Sequence, residues 1–89
     1  MKREFWILTR AGYVQHYESE TYRGMLVATS EHIGRQLRSK FPRRRLSVAK
    51  VGTVPGETLG SLIAASRRNG ANCAFIVDES MEMRRLDFA

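Results

Sequence analysis

Four apolar runs divide the chain: Phe5-Trp6-Ile7-Leu8, Met25-Leu26-Val27-Ala28, the β-branched-rich stretch 46–54, and Cys73-Ala74-Phe75-Ile76-Val77. Each predicts a strand, and Ala11-Gly12, Pro55-Gly56 and Asn69-Gly70 supply the breaks between elements. Two stretches instead carry helical spacing. Ile33, Leu37 and Phe41 recur every four residues, Thr29 or Ser30 can cap the start, Glu31 suits the positive end of the helix dipole, and Pro42 stops the pattern. Leu59, Leu62, Ile63 and Ser66 fall on one helical face, with Arg67 and Arg68 at the negative end and Asn69-Gly70 as the stop.

Tyr13-Val14-Gln15-His16-Tyr17 alternates polar and apolar residues and predicts a strand folding back on the first one, followed by a polar loop over 18–24. The tail 79–89 has two readings. Met81 and Met83 alternate as in an edge strand, whereas Arg84-Arg85 breaks the alternation and leaves a segment that could dock on a partner chain. The resulting order, β-(β)-β-α-β-α-β, contains strand-helix-strand units whose crossovers are nearly always right-handed and parallel. It predicts one α/β domain over 1–89, with α+β as the alternative: a mixed sheet of four or five strands and two helices packed mainly on one face.

At 89 residues and 43% hydrophobic content the chain supports one thin core, which raises the expectation of a homo-oligomer. No apolar run approaches the roughly 20 residues of a membrane span, and the opening Met-Lys-Arg-Glu lacks a long apolar continuation, so a cytoplasmic location is expected. The single cysteine, Cys73, excludes an intramolecular disulfide and a thiolate-rich zinc site, and its apolar neighbours predict an inert buried thiol.

Charge changes the picture most. Between Glu31 and Glu57 there is no acidic residue, while Arg35, Arg38, Lys40, Arg43, Arg44, Arg45 and Lys50 lie in that gap. The chain has 15 basic and 9 acidic residues, so outside these seven the remainder carries eight against nine and sums to −1. The basicity is therefore local, and it attracts phosphates or acidic proteins before contact. Arginine's planar donor fork suits phosphate, and Arg35, Arg38, Arg43, Arg44 and Arg45 are the candidate anion- or nucleic-acid-binding residues. Aromatic platforms are scarce in the gap, since Phe41 is assigned to the core. A helix-turn-helix built from 46–52 and 57–68 is disfavoured, because the first segment is valine-rich and the second lacks base-reaching side chains.

No catalytic, metal or cofactor motif emerges. Gly52, Gly56 and Gly60 sit between a strand and a helix but lack a phosphate-loop spacing, and Glu57 would repel an anion there; Gly56 is assigned to the turn and Gly60 to close helix packing. His16 and His32 have no recognised partner and are assigned to the surface. Asp78 and Glu79, just beyond a parallel strand, mark the place where open α/β sheets hold ligands. The expected function is a non-enzymatic binding module for an anionic partner, nucleic acid first. The alternative is a protein-interaction or assembly module using Trp6, Tyr13, Tyr17, Tyr22 or the tail, and third is a small-ligand or enzymatic site near Asp78 and Glu79.

Overall fold

The computed structural model describes residues 3–88; Met1, Lys2 and Ala89, which end the expected domain and tail, lie outside the described residues. In chain order the elements are β1 (Trp6–Arg10), β2 (Tyr13–Val14), β3 (His16–Ser19), β4 (Tyr22–Ala28), α1 (Glu31–Ser39), a 3₁₀ turn (Pro42–Arg44), β5 (Ser47–Lys50), α2 (Leu59–Arg68), β6 (Cys73–Val77) and β7 (Met83–Asp87). All seven strands belong to one mixed sheet, in which β4 and β6 are parallel and the other pairings antiparallel. The chain is a small mixed α/β domain.

Both helices start where local chemistry dictates. Ser30 Oγ accepts from the Ile33 amide at 3.2 Å. At α2 the Thr58 hydroxyl accepts from the Ser61 amide at 3.0 Å while Ser61 Oγ accepts from the Thr58 amide at 2.9 Å, a reciprocal cap that satisfies two otherwise orphaned donors. Phe41 falls just past α1, yet its ring still packs against the core.

The helices lie on opposite faces of the sheet, which corrects the expected packing on one face. Ile33 and Leu37 of α1 join Leu8, Leu26, Cys73, Phe75 and Val77 on one side. Leu59, Leu62 and Ile63 of α2 cover Ile7, Met25, Val27 and Ala74 on the other. The reason is the strand period of two: unbroken apolar runs such as Met25 to Ala28 are apolar on both faces, so each face needs its own cover. With one helix per face the cover is thin, and α2 keeps its apolar residues only half-buried.

The sheet also forks. Near Trp6 and Ile7, β1 pairs directly with β4, but beyond Leu8 the two part. There β1 pairs with β2 (Thr9 with Val14, Arg10 with Tyr13), and β4 pairs with β3 (His16 with Met25, through to Ser19 with Tyr22). The chain turns at Gln15, whose amide donates to the Leu8 carbonyl at 2.9 Å. The segment 18–24, expected as a polar loop, is thus mostly a hairpin, its exposed arm carrying Glu18 directly across from Arg23. Only Glu20 and Thr21 turn, with Glu20 at φ 55°.

Glycine matters at one point in the sheet. A side chain at Gly24 would overlap the Cys73 carbonyl in the adjoining parallel strand, so the start of the β4–β6 ladder requires a bare Cα. Gly60, by contrast, meets nothing closer than the Thr58 hydroxyl at 3.7 Å, so it does not serve the close helix packing expected of it.

Candidate nucleic-acid interface

The topology sorts charge to the two ends of the sheet. Both helices run back toward the start of the parallel strands, so their C-terminal turns and the following loops gather at the forked end. That end receives Arg38, Lys40, Arg43, Arg44 and Arg45 from the α1 side, Arg67 and Arg68 from the last turn of α2, and Arg10 from the end of β1. None of these eight forms an ion pair among the described residues. The carboxylates nearby are few, and Glu18 is held by Arg23 at 3.1 Å.

The opposite end is mixed. Glu4 takes Lys50 at 2.8 Å and Asp78 faces Arg84 at 3.7 Å. Lys50 thus stands apart from the rest of the positive stretch. Arg35 is also withdrawn: its guanidinium donates to Glu31 one helical turn back at 2.6 Å. Of the five arginines singled out in the sequence, Arg38, Arg43, Arg44 and Arg45 therefore present unpaired charge, and Arg35 presents a neutralised one.

Local structure aims the triplet. Pro42 opens the 3₁₀ turn with its fixed φ, and Arg45 closes it at φ 52° in the left-handed region, a strained position for a residue with a Cβ. Arg44 lies over the Phe41 ring, its guanidinium carbon 5.3 Å from the centroid, and Phe41 in turn meets Tyr17 at 6.3 Å. An open polar cleft in the fork is lined by Arg10, Gln15, His16, Tyr17, Glu18 and Arg44. Arg10 and Arg44, 34 positions apart in sequence, line one recess. Sequence reasoning missed Arg10, Arg67 and Arg68, because each joins the group only through chain reversal.

The remaining candidates resolve differently. His16 is half-buried, and its Nε2 lies 2.6 Å from Oγ of Ser66, itself 3% exposed. Burial first and Arg23 second push its pKa below the ordinary histidine value, with Glu18 partly opposing. Rather than a free surface imidazole, His16 is the partner that satisfies a buried hydroxyl on α2. His32 is exposed and contacts Gln36 at 3.1 Å. Cys73 is buried, and burial pushes its thiol pKa up.

The glycine loop 52–56 holds its own anion, since Glu57 Oε1 accepts from the Gly52 amide at 2.9 Å. Asp78 accepts from the hydroxyl and amide of Ser80, bonds that hold its carboxyl below the usual range, and it borders a groove with Phe5, Thr29, Ile76 and Arg84. Glu79 beside it is exposed. Among the described residues no cluster of three or more His, Cys, Asp or Glu could hold a metal ion. No helix among them is long and apolar enough to cross a membrane. The 47–50 strand rules out a helix-turn-helix over 46–68.

Comparison with family models, with characterised proteins and with solved structures found no match for this chain.

Proposed function

We propose that the protein is a non-enzymatic binding module whose forked, basic end engages an anionic polymer, with nucleic acid as the partner. The observation that carries this reading is the convergence of unpaired arginines from three separate segments: Arg10, the 38–45 group, and Arg67 with Arg68. Concentrating like charge on one end costs electrostatic self-repulsion, and a phosphate backbone relieves it while releasing counterions. Contacts of this kind position a nucleic acid without reading its sequence.

The test is binding of mixed-sequence DNA and RNA at low salt. Affinity that falls steeply as salt rises supports the reading; no binding at low salt, or binding indifferent to salt, removes it.

The outer edge of β7 favours a second reading. Among the described residues β7 pairs only with β6 and all five of its residues are exposed, so its outer row of backbone groups can receive a strand from another copy. Light scattering tests this: a monomer at high concentration excludes self-assembly through that edge.

A further inference from the structure

Resting on the reading above, we infer that the preferred ligand is a single-stranded nucleic acid, with a base stacked on Tyr13 while Arg10 and Arg44 take the adjoining phosphates. Tyr13 is 76% exposed, the most exposed of the large hydrophobic residues among those described. It follows the tight turn at Ala11 and Gly12, both at positive φ, and pairs with Arg10 across the β1–β2 hairpin.

Residues paired across an antiparallel ladder start from the same face, so Tyr13 and Arg10 leave the β1–β2 hairpin on one side. Along β1, Arg10 shares its face with Trp6 and Leu8, the face that α1 and Phe41 cover. The arginine triplet lies on that same side of the sheet. An aromatic ring exposed to this degree contributes little to the core; its cross-strand partner Arg10 lines the recess shared with Arg44, while Tyr13 itself borders the neighbouring cleft, with which that recess shares His16.

A flat ring beside a cationic groove is the arrangement that holds unpaired bases, because every base offers a face for stacking and every nucleotide a phosphate. A duplex hides its base faces and would gain nothing from Tyr13. Arg44 rests over the Phe41 ring, and its planar donor fork suits a phosphate. Glu18 also borders the recess, but its ion pair with Arg23 offsets its charge.

The experiment compares a fluorescein-labelled oligothymidylate with a duplex of equal length by anisotropy, using the full chain and its Tyr13→Ala and Tyr13→Phe variants. Tyr13→Ala should weaken oligothymidylate binding by about 5- to 150-fold, the usual range for losing one stacking ring, and leave duplex binding unchanged. Tyr13→Phe should retain the affinity. Equal binding of strand and duplex, insensitive to Tyr13→Ala, overturns the single-strand assignment and leaves the anion-binding function standing. Binding of neither probe at low salt overturns both.

Discussion

Replacing Arg43, Arg44 and Arg45 together with Ser tests whether the positive stretch touches phosphates at all. Arg10 and Arg44 line the recess, and Arg38, Arg43 and Arg45 are the other arginines of the positive stretch without an ion pair among the described residues, since Glu31 already engages Arg35. If each of the five displaces one counterion from a single strand, log K falls against log salt with a slope of about −3.5, at roughly 0.7 per contact. Between about 50 and 200 mM salt the wild-type affinity then drops roughly 130-fold. The triple variant keeps two contacts and a slope of about −1.4, a drop of roughly 7-fold over the same range. The assay is fluorescence anisotropy at several salt concentrations, with urea unfolding of each protein alongside. Stability should change little, because the three side chains are exposed and form no ion pair among the described residues; losing the Arg44–Phe41 contact costs about 0.5–1 kcal/mol. A slope that stays within about 0.5 of the wild-type value would show that these arginines do not neutralise phosphates.

Other expectations follow from single residues. Gly24→Ala should lower the unfolding free energy by about 1–3 kcal/mol, because the added methyl meets the Cys73 backbone and the β4–β6 ladder must shift; an unchanged urea midpoint would contradict this. Arg45→Gly should leave stability unchanged or raise it by up to about 1 kcal/mol, since glycine accepts positive φ, while still weakening nucleic-acid binding; parallel loss of both would mean the residue is structural. His16 has a lowered pKa in the folded state, so the unfolded chain binds the proton more readily. Its neutral form supports folding fully above about pH 6.5, and that support declines as pH falls toward the folded-state value. His16→Gln should flatten this acid limb in urea midpoints measured across pH, and an unaltered limb would assign it to another group. Cys73, buried with a raised pKa, should react with a disulfide reagent only as fast as the chain opens; immediate labelling in native buffer would show that the β6 edge of the core is accessible.

The parts of the fold legible in the sequence are those decided within a few residues. The Ser30 cap, the Asn69-Gly70 stop and the strand-like runs depend on neighbours a few positions away; the Thr58–Ser61 capping box is equally local and went unread. Two-sided cover was legible in the unbroken run Met25 to Ala28, which is apolar on both faces of the sheet, although the order of elements alone suggests packing on one face. The fork was hidden: nothing in Tyr13 to Tyr17 distinguishes one continuous strand from two that reverse at Gln15. The candidate site divides along the same line. The contiguous triplet Arg43 to Arg45 stands out in any charge count. Arg10 is unremarkable until the β1–β2 register pairs it with Tyr13 and the fork brings it into one recess with Arg44. Likewise, the ion pair that removes Arg35 is a four-residue relation that was available, whereas the contact of His16 with Ser66 spans 50 positions.

The fork has a mechanical consequence for the charges it carries. At the Trp6 end five strands stand abreast, and at the Arg10 end β2 and β3 add two more, so that edge of the sheet is broader by about two strand spacings, roughly 10 Å. That widening is about one Debye length at moderate salt. Cations at the two outer margins of this edge are held about that much farther apart than the same elements would hold them on an unforked edge. A flat, unforked sheet would crowd the same cations onto a narrower rim and repel them apart. The reversal at Gln15 therefore lets a small domain hold so much unbalanced positive charge at one end and remain folded before any partner arrives.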